Sequence, residues 1–202
     1  MQQMNPTPLA QIGWRSLVLS KVKGGAFGTL FSIIVEDIRT QREGLLAPGV
    51  WILILHRIDT ACRAIGWRPV RYALVLPVVI LKRIIEIQVG IELARYARIG
   101  RRLRIEHWGG IVIHGCAVIG DDCLIRHGVT LGNRGADNLA APILGDRVDI
   151  GAGAKLLGKI VIGNDARIGA NAVVIKNVPA GATAVGIPAR ILNKKAASQR
   201  EK

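Results

Sequence analysis

Histidine side chains are the groups through which this chain could carry out acid–base chemistry near neutral pH. The sequence contains four of them: His56, His107, His114 and His127. A neutral imidazole, whose ordinary pKa is about 6.5, can take the proton of an alcohol as that alcohol attacks an electrophile. Composition alone favours a structural role for a histidine in a turn, so a catalytic role needs support from the surrounding sequence.

Two other kinds of reactive site are disfavoured by spacing. The cysteines Cys62, Cys116 and Cys123 are odd in number and contain no CxxC pair, which predicts reduced, buried thiols rather than disulfides or a zinc site. Residues 153–159 (GAKLLGK) approach the pattern of a phosphate-binding loop. Ile160 stands where that loop requires Ser or Thr, so we reject this interpretation.

The composition limits both the core and the partners. Half of the 202 residues are apolar, only 4% are aromatic and 24 are glycine, which predicts an aliphatic core with many tight turns. The net charge of +14 attracts polyanions, such as nucleic acid, anionic lipid or phosphorylated small molecules. No nucleic-acid-binding motif is present and stacking aromatics are scarce, so we expect no nucleic-acid partner.

Residues 1–88 have few glycines, and their apolar residues recur at helical spacing, for example at Ile34 and Ile38. We predict an α-helical N-terminal region with breaks near residues 46–49 and 67–69. The beginning of the sequence lacks the order of a secretory signal, and the apolar runs at 50–55 and 73–81 are too short to span a bilayer. We therefore expect a cytoplasmic protein, soluble or at the inner face of the membrane.

From about residue 89 the sequence has a six-residue period. Aliphatic residues recur six apart at Leu144, Ile150, Leu156, Ile162, Ile168 and Val174. One inward aliphatic per six residues, with small residues beside the corners, fits the three flat strands of a triangular coil. A helical interpretation fails because glycine recurs at fixed intervals. We predict an all-β solenoid, a left-handed parallel β-helix of hexapeptide repeats, over 89–192, followed by a basic tail at 193–202.

The period is interrupted twice. The frame slips by two residues between Ile111 and Ile113, and the gap from Leu131 to Leu144 is thirteen rather than twelve. Residues 132–142 (GNRGADNLAAP) have no aliphatic residue at the expected position. We predict that they leave the coil as a protruding loop, where binding residues concentrate.

The motifs in this half of the chain resemble a known family. The segments IEHWGGIVIHGCAVIGDDCLIRHGVTLGNRG and IGAGAKLLGKIVIGNDARIGANAVVIKNVPAGATAVGIPARIL are similar to the serine acetyltransferase branch of the hexapeptide transferases. Within it, IRHGVTLGNRGADN is closer to colanic-acid-type exopolysaccharide acetyltransferases. The resemblance covers about residues 85–192 and implies an acetyl-CoA-dependent O-acetyltransferase. It also implies a trimer or a dimer of trimers, with sites between neighbouring β-helices and no metal.

The resemblance also assigns site residues. It implies that His107 is the catalytic base and that Glu92, fifteen residues earlier, is its acidic partner. His127, Arg134, Asp137 and Asn138 would bind the acceptor, although in general such loop residues are more often only solvated. The residues implied to contact acetyl-CoA are Gly151, Ala152, Gly153, Ala154, Gly169 and Ala170, with Lys155, Lys176 and Arg190 as candidate phosphate contacts. His114 and His56 have no such support and are interpreted as structural.

One departure from the family affects the acceptor. Serine acetyltransferases carry an Arg-His-Pro segment after the loop, whereas this chain has Ala140, Ala141 and Pro142. An alanine pair cannot hold a carboxylate, which favours a neutral sugar hydroxyl of an exopolysaccharide or its lipid-linked precursor. Serine O-acetyltransferase remains the alternative enzyme, and a non-catalytic scaffold or a polyanion-binding module the alternative class.

A cluster of five arginines lies near Glu92, at positions 95, 98, 101, 102 and 104. It is either a solvated face or a dock for an anionic membrane that carries the acceptor. The apolar helices around residues 73–87 could assist such a contact.

Overall fold

The structure is a computed structural model that describes residues 26–135 and 140–192. Its helical part consists of α1 (Ala26–Thr40), a 3-10 turn (Gly44–Leu46), α2 (Pro48–Arg63) and α3 (Arg68–Val89). Pro48 and Pro69 lie in the first turns of α2 and α3, where the missing N–H breaks no helical hydrogen bond. The predicted basic tail at 193–202 lies outside the described residues.

Fifteen short strands follow within the described residues. Their bounds are β1 (Ile91–Leu93), β2 (Arg98–Ile99), β3 (Arg104–Glu106), β4 (Ile111–Ile113), β5 (Val118–Ile119), β6 (Leu124–Arg126), β7 (Thr130–Gly132), β8 (Ile143–Leu144), β9 (Asp149–Ile150), β10 (Lys155–Leu157), β11 (Val161–Ile162), β12 (Arg167–Ile168), β13 (Val173–Val174), β14 (Thr183–Val185) and β15 (Arg190–Leu192).

Every third strand pairs in parallel, which makes the three faces of a solenoid. Sheet 1 contains β1, β4, β7, β10 and β13; sheet 2 contains β2, β5, β8 and β11; sheet 3 contains β3, β6, β9, β12 and β14. The antiparallel strand β15 closes the edge of sheet 3. The predicted left-handed β-helix of hexapeptide repeats is thereby confirmed, and the aliphatic residues of the period form one continuous buried column.

The strand register locates the two interruptions of the period. A regular coil has eighteen residues, as between Ile143 and Val161. The first coil has twenty, because Ile105 pairs with Ile125, and its two extra residues lie at the corner between β3 and β4. Another coil has 25 residues, because Val118 pairs with Ile143. Seven extra residues therefore leave the solenoid between β7 and β8, where a loop was predicted.

The helices cap the open end of the solenoid. No earlier coil accepts hydrogen bonds from the first one, so its backbone groups need other partners. Gln41 supplies both a donor and an acceptor. Its Nε2 donates to the Leu103 oxygen at 2.8 Å, and its Oε1 accepts from the Ile105 nitrogen at 3.1 Å. Arg57 of α2 donates to the Ile99 oxygen and binds Asp37 of α1 at 3.0 Å.

His56 is a second buried contact of this cap, which agrees with its predicted structural role. Its Nε2 lies 3.1 Å from the Ala97 oxygen, and its side chain is buried. Burial, together with the charges of Lys82 and Arg57, lowers the His56 pKa from 6.5 to about 3. His56 therefore stays neutral in the folded chain at pH values where the unfolded chain protonates it.

This difference predicts a pH-dependent stability. The contribution of neutral His56 is complete above pH 6.5 and is lost as the pH falls toward the folded pKa of about 3. Between pH 7.5 and pH 5 the loss is about 2 kcal/mol. His56→Gln can keep a donor for the Ala97 oxygen and cannot titrate. In urea unfolding, the free energy of unfolding of this variant should therefore fall by about 2 kcal/mol less than that of the wild type between pH 7.5 and pH 5. An unchanged slope would contradict the assignment.

The cysteines differ from the sequence prediction in one respect. Cys123 is buried and Cys62 half-buried, and burial raises the pKa of the Cys123 thiol to about 12. Cys116 is exposed, so the prediction of burial was wrong there. It lies in the turn after β4, where its backbone nitrogen donates to Nδ1 of His114 at 3.2 Å. That bond agrees with a structural role for His114.

Candidate active site

His107 lies at the corner where the chain leaves sheet 3 and enters sheet 1. It directly follows β3, its side chain is exposed, and its backbone is left-handed with φ of 58°. The two extra residues of the first coil fall in the same corner, which also contains the exposed Trp108. The corner therefore departs from the regular coil at the residue predicted to be the base.

Several predicted site residues occupy one column along this corner. Because Ile125, Ile150 and Ile168 are in register, the residues two positions later stack on successive coils; these are His127, Ala152 and Ala170. In the first coil the two extra residues shift the backbone, so that the Gly109 oxygen accepts from the next coil as the His127 oxygen does, and His107 joins the column through its side chain. The rings of His107 and His127 lie edge to face, with centroids 5.9 Å apart. Successive coils are about 4.8 Å apart, so the predicted base, an acceptor contact and the predicted cofactor surface follow one another within one chain.

Glu106 precedes His107 but faces other partners. Its carboxylate contacts Nε of Arg104 at 3.3 Å and Nε of Arg126 at 3.4 Å, and Arg126 also binds Asp149 of the next coil. These ion pairs run along the outside of sheet 3. They hold Glu106 as part of a ladder of charges, so Glu106 has a structural explanation.

A cavity beside His107 brings in residues that sequence reasoning missed. It is lined by Arg42, Glu43 and residues 47–49 from the cap, and by residues 104–108 of the corner. Arg42 and Glu43 reach this place because Gln41 is fixed to the backbone of β3. They are separated from His107 by more than sixty positions, and no local pattern marks them.

Glu92 does not contact His107 within the chain. It lies in the middle of β1, exposed, and pairs with Val112 across sheet 1. With Arg83, Ile87 and neighbouring residues it lines a shallow groove at the end of α3. Among the described residues Glu92 makes no ion pair, and its role as the acidic partner stays a prediction.

The loop residues have a different position from the histidine column. The side chain of Arg134 lies over Gly158, where an added Cβ would be 2.7 Å from its Cδ. Gly158 directly follows β10, so Arg134 is at the edge of sheet 1 opposite the His107 corner. Asp137 and Asn138 lie outside the described residues. One chain therefore does not bring Arg134 and His107 together.

The predicted acetyl-CoA surface is tightly built. A Cβ at Gly151 would lie 2.5 Å from the backbone nitrogen of Ala170, so this corner admits only glycine. Gly153 has φ of +74°, and a Cβ at Gly169 would lie 2.8 Å from a Val185 methyl. Ala154 is buried, whereas Ala152 is half-buried and Ala170 exposed. The small side chains leave backbone accessible at the corner.

The three candidate phosphate contacts are not equivalent. Lys155 donates its ammonium to the Gly128 oxygen and to Thr130 Oγ1, at 3.1 Å for the second bond, and so has partners within the solenoid. Lys176 and Arg190 are exposed. Only the latter two are free to meet a phosphate without breaking hydrogen bonds that the described residues make.

Comparison with known proteins identifies the family. The model of bacterial transferase hexapeptide repeats matches residues 141–176. A serine acetyltransferase of Helicobacter pylori J99 is 44% identical over 151 residues, which are 74% of this chain and 84% of the relative. The Escherichia coli K12 protein named as colanic acid biosynthesis acetyltransferase WcaB is 48% identical over 162 residues, which are 78% of this chain and 98% of the relative. The chain belongs to the hexapeptide-repeat acetyltransferases.

Solved structures agree with this assignment. The serine acetyltransferase of Neisseria gonorrhoeae superposes with a TM-score of 0.70 and 30% identity, covering 90% of this chain and 71% of that one. The soybean apoenzyme gives a TM-score of 0.66 with 35% identity, covering 83% of this chain and 72% of that one. The chain is thus an acetyltransferase, and acetyl-CoA is the co-substrate that its family implies.

The segment at 140–142, which has alanines where the Arg-His-Pro pattern has Arg and His, is partly buried. Ala141 is 5% exposed and belongs to the core, and the Pro142 oxygen accepts a hydrogen bond from the Val118 nitrogen at 3.1 Å. This segment therefore closes the solenoid after the loop. It offers neither a cation nor an imidazole to an acceptor.

The arginine cluster of the acetyltransferase is largely neutralised. Arg95 binds Asp59, Arg101 binds Glu36, Arg102 binds Glu36 and Asp122, and Arg104 binds Glu106. Among the described residues, only Arg98 of the five has no carboxylate partner. The solvated, ion-paired interpretation therefore fits four of them, and none contacts Glu92.

Enlarging the predicted cofactor corner tests its role. Ala152→Leu adds bulk to a half-buried position and should raise the KM for acetyl-CoA about tenfold, because the cofactor loses close backbone approach. Ala180→Leu, at an exposed position before β14, is the matched control and should leave the KM unchanged. Thiol release at varied acetyl-CoA measures both. Equal KM values for the two variants would place the cofactor elsewhere.

Proposed function

We propose that this chain transfers the acetyl group of acetyl-CoA to a sugar hydroxyl of an exopolysaccharide or of its lipid-linked precursor. The observation that carries the proposal is the buried Ala141–Pro142 segment, which leaves no charged group at the place where serine acetyltransferases have Arg-His. A neutral hydroxyl acceptor needs no counter-charge. The 48% identity to the Escherichia coli protein named for colanic acid biosynthesis supports the same acceptor class.

The proposed base is His107. Its exposed imidazole takes the proton of the acceptor hydroxyl as the oxygen attacks the thioester carbonyl carbon. The C–S bond then breaks, the acetyl group remains on the acceptor oxygen, and the CoA thiolate takes the proton from the imidazolium. Glu92 is the proposed carboxylate that stabilises this imidazolium, the part played by the third member of a catalytic triad.

The proposed acceptor site is the cavity between the cap and the His107 corner. Trp108 is 55% exposed and offers an apolar surface for the face of a sugar ring. Arg42 and Glu43 supply a donor and an acceptor for its hydroxyl groups. His127, stacked beside His107, is a further proposed contact. Arg134, Asp137 and Asn138 remain proposed contacts on the loop.

A trimer would complete this site. Arg134 and Glu92 are displaced from His107 along sheet 1 of their own chain, so they would act from or beside a neighbouring solenoid. Lys176 and Arg190 are the proposed cations for the phosphates of acetyl-CoA. We further propose that the enzyme works in the cytoplasm, where acetyl-CoA is made, and meets its acceptor at an anionic membrane surface.

The acceptor class is tested by thiol release from acetyl-CoA with a panel of acceptors. The panel contains free serine, neutral oligosaccharides and lipid-linked saccharides, each at several concentrations. Release with a saccharide well above release with serine supports the proposal. Release with serine comparable to that of a serine acetyltransferase control assigns the enzyme to serine, and no release with any acceptor contradicts both assignments.

Serine O-acetyltransferase is the second candidate, because relatives with that name reach 44% identity over most of their length. The two candidates differ in their dependence on acceptor charge. Serine as substrate requires a cation for its carboxylate. Arg42 lines the cavity and could replace the missing arginine, whereas Arg104, which also lines it, is paired with Glu106. Arg42→Gln would then raise the KM for serine far more than the KM for a neutral acceptor.

A further inference from the structure

Helix α3 exposes a long apolar stripe to solvent. The opposite side of the helix packs on α2 and β1 through Val75 and through residues such as Ile85 and Val89. The stripe consists of Tyr72, Leu76, Ile80, Ile84 and Ile87, which are between 49% and 71% exposed. These residues are three or four positions apart and lie on one face over about 22 Å. No described element covers this face.

The exposed charges that α3 itself carries are positive. Arg68 and Arg71 lie at its beginning, and Arg83, whose side chain is 64% exposed, lies within it. The only carboxylate of the helix, Glu86, has a side chain that is 10% exposed and is shared by Lys82 and Arg83, at 3.5 Å from each. Glu92, the exposed carboxylate nearest along the chain, lies beyond the end of the helix on β1.

Exposed aromatics extend the surface at the same end as the first two arginines. Trp67, immediately before the helix, is 70% exposed, and the guanidinium of Arg71 lies 5.3 Å from the centre of the Tyr72 ring. Aromatic rings beside cations are typical of the boundary between lipid headgroups and acyl chains. An apolar face with such a border is the pattern of a helix that lies in the plane of a membrane surface.

We infer that α3 is the membrane-binding element of this protein and that its partner is an anionic lipid surface. The apolar stripe enters the acyl boundary, while Arg68, Arg71 and Arg83 bind lipid phosphates. The helix does not span: no helix among the described residues is long and apolar enough to cross a bilayer. The inference deepens the proposed membrane location, and it moves the contact from the ion-paired arginine cluster to α3.

A second copy of the chain fits this face less well. A symmetric contact through α3 would bring together two helices that carry exposed arginines and no exposed carboxylate to pair with them. An anionic lipid surface provides the missing negative charge and an apolar phase at once. The charge pattern therefore favours lipid over self-association.

Co-sedimentation of the full chain with vesicles tests the inference. The protein should pellet with vesicles of phosphatidylcholine and phosphatidylglycerol and remain in solution with phosphatidylcholine alone. Ile80→Asp should lower the partition coefficient at least about tenfold, because it puts a charge into the apolar stripe. Arg83→Gln should lower it about fivefold, the effect of about 1 kcal/mol for one cation at the surface. Both positions are exposed, so folding should be preserved.

Two control variants keep the test independent of catalysis. Leu192 in β15 is an apolar residue about as exposed as Ile80, so Leu192→Asp is the matched variant outside α3. It should bind vesicles like the wild type. His107→Ala should also bind like the wild type, which separates this inference from the proposed reaction. Equal recovery with neutral and anionic vesicles, or unchanged binding of Ile80→Asp, would overturn the inference. A lower mass of Ile80→Asp in light scattering, without vesicle binding by the wild type, would assign the stripe to a second copy.

Discussion

Replacing His107 by alanine should lower kcat about a thousandfold, because general-base catalysis by a positioned imidazole contributes between about a hundredfold and ten-thousandfold. The residue is exposed and has no described hydrogen bond, so its loss should not affect folding. The KM for acetyl-CoA should remain close to that of the wild type, since the proposed cofactor surface begins two coils away. Thiol release under saturating acetyl-CoA measures the effect.

The matched control for this prediction is His114→Ala. His114 is a half-buried histidine of the second coil, and it faces the turn of Cys116 rather than the cavity. Its replacement should change kcat less than about twofold, as removal of a group outside the reaction does. If His107→Ala retained wild-type kcat while His114→Ala lost it, the proposed base would be wrong.

Replacing Asp37 by alanine should destabilise the fold by about 3–5 kcal/mol, the usual cost of leaving a buried charge without its partner. The Asp37 side chain is fully buried and binds Nε of Arg57 at 3.0 Å and the Arg102 backbone nitrogen at 3.1 Å. Burial raises the pKa of this carboxyl, and the Arg57 charge opposes that effect. Without Asp37, the guanidinium of Arg57 remains between the helices and the first coil, where its other described partners are the backbone oxygens of Ile99 and Gly100.

Chemical unfolding at fixed protein concentration measures this loss. Asp165→Asn is the control, because Asp165 pairs with Arg147 on the surface, where both side chains are more than half exposed, and asparagine tolerates the left-handed backbone of this position (φ of 60°). Exposed pairs contribute about 0–1 kcal/mol, so the control should stay near the wild type. If the two variants lost similar amounts of unfolding free energy, the Asp37–Arg57 pair would not be what holds the helices on the solenoid.

The solenoid could be predicted from the sequence because its signal is local and repeated. Each six-residue unit carries its own aliphatic residue and corner, as at Ile150 and Ile168, and every unit supports the same interpretation. The number of residues inserted in the loop could not be predicted correctly from the sequence. Leu131 and Leu144 turned out to be consecutive core positions on different sheets, which only the strand register shows.

The candidate site was predictable only where it follows the repeat. His127 and Ala152 share a column because coil geometry stacks equivalent positions, whereas His107 reaches His127 from the two-residue insertion of the first coil. Arg42 and Glu43 carry no periodic signal, and their placement depends on one glutamine that binds the edge of β3. The partners of the arginine cluster were also hidden, since Glu36 and Asp59 lie in helices distant along the chain.

Because helices cap the first coil, the acyl donor and the acyl acceptor of the proposed reaction would be bound by different segments of the chain. The proposed surface for the acyl donor consists of solenoid corners, in which glycine is required by close backbone contacts. The wall that would face the acyl acceptor comes from the short connection between α1 and α2, which includes Arg42 and Glu43. Sequence change in that connection can alter acceptor preference while the donor corners stay the same, so one scaffold can diverge among alcohols without rebuilding its thioester groove.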